Sequence, residues 1–308
     1  MTDAAVRAWG IGRSLAMYHA IPGRHARMAA FYRTFLGPGD LGFDIGAHVG
    51  SRVRAWRRLG VRVIAVEPQP DCLRVLRLLY GRDPRVDIVP EAVGARPGRA
   101  RLAVSRATPT VSSMAPDWID EMARDRRFAG VHWDRTVQVP VATLDELIAR
   151  YGEPAFAKID VEGFEVAVLS GLSRPLRALS FEYLPAAHGQ ALAAMDLVQH
   201  LGDYRYNYSP IETMRMAAPH WLDAAGLVRL LDRFRPLGRS GDVYARLESA
   251  ELATPPSAED LGPEHGPIPS PRISARGRPG TDDAVLDREQ WEALDALVDP
   301  GTRGIRSS

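Results

Sequence analysis

The fold turns on the stretch Phe43-Asp44-Ile45-Gly46-Ala47-His48-Val49-Gly50, an apolar run that meets a glycine-containing turn and then the amphipathic segment Ser51 to Leu59. A strand that passes into a helix through such a turn suits a nucleotide site, because glycine lets backbone approach a ligand. Working outward, short apolar runs alternate with helix-length segments. The runs are Leu41 to Ile45, Val61 to Val66, Val86 to Val89, Phe156 to Val161 and Leu179 to Phe181; between them sit Ser51 to Leu59, Cys72 to Tyr80 and Gly163 to Leu172. That alternation predicts an α/β fold, a doubly wound and mostly parallel sheet.

A less regular insertion, residues 100 to 140, precedes the run Val137 to Val141. The spacing Thr143-Leu144-Asp145-Glu146 is that of a capping box and predicts a helix through Ile148. Beyond residue 183 the pattern gives a helix over Gln190 to Leu201, a strand over Tyr204 to Tyr208, a helix over Trp221 to Leu231 and a strand over Val243 to Leu247. This late strand pair should complete one end of the sheet. Residues 1–38 are rich in arginine and aromatics and read as an N-terminal helical cap, broken near Pro22-Gly23. The main domain is expected over 39–249, a disordered linker rich in Pro, Gly and charge over 250–283, and a tail with a short helix, Arg288 to Val298, over 284–308.

The chain has 308 residues, 45% of them apolar and 25% charged, an ordinary globular composition. Its 39 basic residues balance 38 acidic ones, so no bulk field draws it to nucleic acid or an anionic membrane. Lys158 is the only lysine; every other basic position is arginine. Cys72 stands alone and cannot form an intramolecular disulfide, which fits a reducing, cytoplasmic setting. No apolar run is long enough for a membrane span and no signal peptide is legible, so a soluble, unprocessed protein is expected.

Which ligand the turn serves follows from two residues. A dinucleotide site wants a second glycine where pyrophosphate passes, and that position is His48. Glu67 follows the second apolar run and lies 21 residues after Gly46, where an acid accepts hydrogen bonds from ribose hydroxyls. A ligand with a ribose and no phosphate is implied. S-adenosylmethionine meets both conditions, and its cationic groups favour a carboxylate such as Asp44.

Phe156-Ala157-Lys158-Ile159-Asp160-Val161-Glu162-Gly163 is not an ordinary buried strand, since a central parallel strand should be almost continuously apolar. Lys158 and Asp160 share a face, and Glu162 follows at the strand end. Ligands in open α/β sheets bind beyond the carboxyl ends of the strands. If this strand lies between Leu41 to Ile45 and Leu179 to Phe181, then Asp44, Asp160, Glu162, Glu182 and Lys158 converge on one crevice. Three uses compete: an ion pair of Lys158 with Asp160 or Glu182 that only ties strand ends, a divalent-metal site of Asp160, Glu162 and Glu182, and acid-base and positioning work. The last is preferred and no metal is expected.

Together these segments resemble the FkbM-type methyltransferase family, with Val63-Ile64-Ala65-Val66-Glu67-Pro68, Glu91-Ala92-Val93-Gly94, Thr143-Leu144-Asp145 and Lys158 to Glu165 in the family's order over residues 41–185. The resemblance implies a class I methyltransferase, Rossmann-like fold and methyl transfer from S-adenosylmethionine to a hydroxyl of a small molecule, natural product or glycan. It implies Asp44, Gly46 and Gly50 at the methionine part, with Ala47 and His48 in the same turn. Glu67 then falls at the ribose and Glu91 and Ala92 near the adenine. Lys158, Asp160 and Glu162 fall near the methyl group, with Asp160 or Glu162 as proton acceptor and Lys158 orienting them or the acceptor. His48 departs from the asparagine common in that turn. An NAD-linked oxidoreductase and a non-catalytic adaptor are the competing readings; nucleic-acid methylation is disfavoured because no Asn/Asp-Pro-Pro-aromatic tetrad is present.

Ser112, Ser113, Trp118, Trp133, His188 and the cluster Arg124, Arg126 and Arg127 are secondary candidates. Loop solvation, ordinary packing, a helix-start histidine and a solvated charged face are the plainer expectations for them.

Overall fold

A computed structural model describes residues 2–125, 128–211 and 213–249. The expected linker, the tail and its helix, and Arg126 and Arg127 lie outside the described residues. Two helices lead in, Asp3–His19 (α1) and Arg24–Tyr32 (α2), separated near Pro22-Gly23 as the sequence predicts. Then come Leu41–Ile45 (β1), Ser51–Arg58 (α3), Arg62–Val66 (β2), Pro70–Tyr80 (α4), Val86–Val89 (β3), Ala92–Val93 (β4) and Gly98–Val104 (β5). Pro116–Met122 (α5), Arg135–Ala142 (β6), Leu144–Tyr151 (α6), Phe156–Ile159 (β7), Glu165–Leu169 (α7) and Ala178–Tyr183 (β8) follow. His188–Leu201 (α8), Tyr204–Pro210 (β9), Ala224–Phe234 (α9) and Gly241–Leu247 (β10) end the described chain.

Seven strands form the main sheet in the order β3-β2-β1-β7-β8-β10-β9. All the pairings from β3 to β8 are parallel, and β10 runs antiparallel to both β8 and β9. Strand order reverses at β1, whose neighbours are β2 and β7, so the crevice at the carboxyl ends of β1 and β7 is the topological switch point. This is the doubly wound, mostly parallel sheet expected from the alternating runs.

Side chains alternate across β1, so Phe43 and Ile45 join the core on one face with Val66, Ile159 and Phe181. On the other face Val63, Ala65 and Phe156 pack with Phe31, Tyr32, Phe35, Trp56 and Tyr244. Gly42 is required there: a Cβ would stand 2.9 Å from the Trp56 ring. The segment expected as a cap is thus split. Helix α2 belongs to the sheet's own core, its Met28, Phe31 and Tyr32 fully buried, because its apolar residues recur at helical spacing on the sheet-facing side.

Two expectations are corrected. The charged strand stops at Ile159 rather than Val161, since the chain turns away at Asp160 and Glu162 adopts a left-handed φ of 53°. The insertion is more regular than its composition suggests: β5 and β6 pair antiparallel and β6 pairs parallel with β4, forming a separate three-stranded sheet. Thr143 and Glu146 make the reciprocal capping box at the start of α6.

Candidate active site

Two clefts open at the switch point and share a wall. The first spans about 560 Å³ including its open mouth and is lined by Ile45, Gly46, His48, Val66, Glu67, Pro68, Glu91, Ala92, Val93, Leu102, Met114, Asp160 and Glu162, among others. The second, about 400 Å³, is lined by Tyr18, Gly46, Ala47, His48, Ser51, Arg52, Thr110, Asp160 and Glu162. Gly46, His48, Thr110, Asp160 and Glu162 face both.

The turn after β1 explains its glycine. Gly46 has φ 87°, and a Cβ there would lie 1.8 Å from the Asp160 carbonyl oxygen. Asp160 N–H donates to the Ile45 carbonyl at 2.9 Å, so the bare backbone of residue 46 lets the two strand ends close on each other. Gly50, at φ 80°, serves packing instead: a Cβ would meet the Tyr80 ring at 2.5 Å. His48 holds a left-handed φ of 49°, and its backbone N–H donates to Glu67 Oε2 at 2.8 Å. Glu67 Oε1 accepts from Gln69 N–H at 2.7 Å, and burial outweighs these bonds to push the carboxyl up to about 7. Glu67 is thereby fixed at the end of β2 on the cleft wall, each oxygen keeping a lone pair.

Lys158 is wholly buried and bonds Asp242 Oδ1 at 2.7 Å and Asp160 Oδ2 at 3.4 Å. Burial opposes its charge, but Asp160 and Asp242 more than offset this and hold it protonated. Arg52 Nη2 reaches the same Asp160 oxygen at 3.1 Å. Burial pulls the Asp160 carboxyl up, yet Lys158 and Arg52 outweigh it and keep the group below the ordinary carboxylate range. Glu162 is different. Burial, then the charges of Asp160 and Glu165, push its carboxyl well above the usual range. Burial and the charges of Glu162, Asp160 and Glu165 do the same to Glu182. Ligand oxygens of Asp160, Glu162 and Glu182 lie within 4.8 Å of one another, a spacing that a cation could bridge.

The insertion clamps this turn. Ser113 Oγ donates to the Glu162 carbonyl at 2.6 Å, and the Trp118 side chain covers Gly163 so closely that a Cβ would fall 2.2 Å from it. Gln69 Nε2 donates to Ser112 Oγ at 2.8 Å, tying the insertion to the end of β2. Trp133 Nε1 donates to the Val111 carbonyl. These four secondary candidates thus hold the walls in place by packing and hydrogen bonds.

Of the predicted residues, the structure brings Gly46, Ala47, His48, Glu67, Glu91, Ala92, Asp160 and Glu162 to the clefts. Lys158, Asp44 and Gly50 line neither cleft. Lys158 sits behind Asp160 and bonds it from the buried side. Asp44 is buried behind the turn, where desolvation lifts it to about 6 and neither oxygen finds a hydrogen bond within the protein. Glu91 reaches the first cleft, but its carboxylate is bonded by both terminal nitrogens of Arg150, at 3.0 and 2.6 Å. His188 bonds Tyr183 at 3.3 Å and faces Asp232, at the start of α8. Sequence reasoning missed Asp242, Arg52 and Tyr18. Asp242 fell one residue before the expected strand, and Arg52 carries no distinguishing signal in so arginine-rich a chain.

A strand order reversing at β1, with one antiparallel strand inserted next to the far edge and a carboxylate-lined cleft at the switch point, defines a class I methyltransferase fold. Residues 44–208 match the sequence model of the methyltransferase FkbM domain, and the chain belongs to that family. No curated protein matches it. Among solved structures it is similar to a precorrin-6y C5,15-methyltransferase from Geobacter metallireducens, with 12% identity and a TM-score of 0.40 over 75% of this chain and 91% of that one. An O-methyltransferase from Bacillus cereus in complex with SAH gives 11% identity and a TM-score of 0.42 over 80% and 90%. The C-terminal domain of a precorrin-6Y C5,15-methyltransferase from Rhodobacter capsulatus gives 16% and 0.35 over 72% and 87%.

Proposed function

We propose that this chain transfers a methyl group from S-adenosylmethionine to a hydroxyl of a small molecule, natural product or glycan. The observation that carries the reading is that Asp160 and Glu162 line both clefts, so one carboxylate-bearing turn faces donor and acceptor at once. The first cleft suits the cofactor. Val66, Pro68, Val93, Leu102 and Met114 supply apolar walls for a purine, Glu67 stands ready for ribose hydroxyls, and Gly46 leaves backbone bare at the turn. S-adenosylmethionine, when bound, supplies a methyl group on a cationic sulfur.

The protein's own groups do the rest. Asp160, held ionised by Lys158 and Arg52, gives the junction of the clefts a fixed negative charge that suits a cationic centre. Glu162 has the higher proton affinity, and in its ionised form it takes the acceptor's hydroxyl proton, with Glu182 close beside it. Ser51, Thr110 and Arg52 in the second cleft position the acceptor, and orientation supplies much of the rate. A polar cleft of this size favours a hydroxylated small molecule or glycan over nucleic acid or a membrane. Among the described residues no helix is long and apolar enough to cross a membrane. Cys72, buried and bonded to Gln69 Oε1, suits a reducing cytoplasm.

Calorimetry with S-adenosylmethionine, S-adenosylhomocysteine and NAD tests the reading. Binding of the first two and not the third is expected; tight NAD binding without the others overturns it. Comparison of metabolites between wild-type and knockout cells should then reveal the acceptor as a species that accumulates in the knockout and is lighter by one methylene than a product found in the wild type.

A further inference from the structure

The two lead-in helices are held in opposite ways. In α2, of nine residues, Arg24, His25, Arg27, Met28, Ala29, Phe31 and Tyr32 are buried, and the apolar ones join the sheet's core. Helix α1 has 17 residues, yet among its described side chains only Gly10 and Ser14 are buried, four apart on one face. None of its residues belongs to a hydrophobic cluster. The small face lets α1 lie close on the insertion: a Cβ at Gly10 would stand 2.3 Å from the Arg106 carbonyl oxygen. No large side chains interlock there, so this face can part without tearing a packed core.

The polar ties of α1 reach two different walls. Toward its start, Asp3 pairs with Arg106 at 2.6 Å and Arg13 Nη2 donates to Thr108 Oγ1 at 3.1 Å, both on the insertion. At its end, His19 Nε2 donates to the Val49 carbonyl at 2.9 Å, and the Tyr18 ring meets that of His48 edge-on at 5.4 Å, both on the turn after β1. Thr110 of the insertion and His48 of that turn line both clefts. Helix α1 therefore bridges the two walls, with Tyr18 lining the second cleft from above them. Polar ties of this kind, partly open to water, break at little cost. The link to α2 runs through Ala20, Pro22 and Gly23, all exposed, with Gly23 at φ 74°. A few such residues between elements can absorb a rotation.

We propose that α1 is a lid over the second cleft, hinged at residues 20–23, that opens to admit ligands and closes with Tyr18 as its latch. The latch has seats on fixed parts of the fold: the His48 ring, and the Arg24 guanidinium carbon of α2, 5.1 Å from the Tyr18 ring. A ligand in the first cleft touches the same walls, since Gly46, His48 and Thr110 are shared, so its binding favours the closed lid. Closure over Asp160 and Glu162 excludes water from the junction of the clefts. Only the use of S-adenosylhomocysteine as the closing ligand rests on the proposed methyl transfer; the lid itself stands on how α1 is held.

The test is hydrogen exchange of the full chain, read by mass spectrometry with and without S-adenosylhomocysteine, beside the melting temperature. In the free protein α1 should exchange at least about tenfold faster than α2, and S-adenosylhomocysteine should slow α1 several-fold more than α2. Gly10→Val pushes α1 off the Arg106 carbonyl; it should speed α1 exchange and S-adenosylhomocysteine dissociation each about tenfold, with melting lowered by no more than about 2 °C. Tyr18→Ala leaves the Gly10 contact intact and should lose most of the ligand-induced protection while keeping that of the free protein. Equal exchange of α1 and α2, or bound S-adenosylhomocysteine with α1 unchanged, overturns the lid. So does a fall in melting beyond about 8 °C in Gly10→Val, which would make α1 part of the cooperative core. If S-adenosylhomocysteine does not bind at all, the cofactor reading fails, and the free-protein exchange and melting of wild type and Gly10→Val still decide the lid.

Discussion

Asp160 and Glu162 are two residues apart on one turn and face the same clefts, yet their proton affinities diverge. Asp160 is answered by two cations, Lys158 at 3.4 Å and Arg52 at 3.1 Å, and stays ionised. Glu162 is buried and acted on more strongly by the carboxylates of Asp160 and Glu165 than by Lys158 and Arg52, and it holds a proton more readily. Placement relative to partners, rather than carboxylate identity, sets the role. In the proposed reaction one group offers a permanent charge and the other, in its ionised form, a proton acceptor.

The strongest way to break this contrast is Glu162→Gln. It should lower turnover about 10²- to 10⁴-fold with little change in melting, measured by initial rates beside calorimetry. The comparable loss in Asp160→Asn should come with lost stability. Chelation by EDTA should leave wild-type turnover unchanged, since acid-base work by Asp160 and Glu162 needs no metal. A loss restored by magnesium would make the cluster with Glu182 a cation site instead.

Lys158→Met comes next. It strands Asp242 and weakens Asp160, and should cost ~3–5 kcal/mol in chemical denaturation. Because Lys158 is fully buried and touches neither cleft, Lys158→Arg should also impair folding by overpacking, rather than turnover alone.

Glu165 gives a smaller, pH-dependent effect. Burial lifts it from 4.5 to about 7, despite backbone bonds from Val161 and Gly163 N–H. The folded state therefore holds this proton more tightly than the unfolded chain. Its stabilisation is complete below pH 4.5 and lost as pH rises through about 7. Glu165→Gln keeps the acceptor oxygen and should flatten the fall in stability over that window by ~1–3 kcal/mol, read from melting at successive pH values.

Ser113→Ala is the mildest. Removing the bond that fixes the Glu162 carbonyl should cost ~1 kcal/mol and lower the melting temperature by roughly 2–4 °C, with kcat affected more than KM.

Much of the site was legible locally. The run through Gly46 marked the switch-point turn, Glu67 stood at the end of the second strand, and the charged run 156–163 marked the crevice. The partners of those charges were not legible. Asp242 lies on β10, 84 residues beyond Lys158, and reaches it because an antiparallel strand is inserted between β8 and β9. Likewise Ser113 and Trp118 belong to an insertion whose composition resembled a loop, and only its pairing into a second sheet brings them over Glu162 and Gly163.

The sequence by itself determined the strand and helix order, the glycine turn and the face on which Lys158 and Asp160 lie, because periodicity and turn chemistry act over neighbouring residues. Only the tertiary structure decided that Lys158 stands behind Asp160 and lines neither cleft, that α2 is core, and that Asp160 and Glu162 differ in proton affinity. Those outcomes depend on burial and on charges from distant elements, which no local pattern encodes.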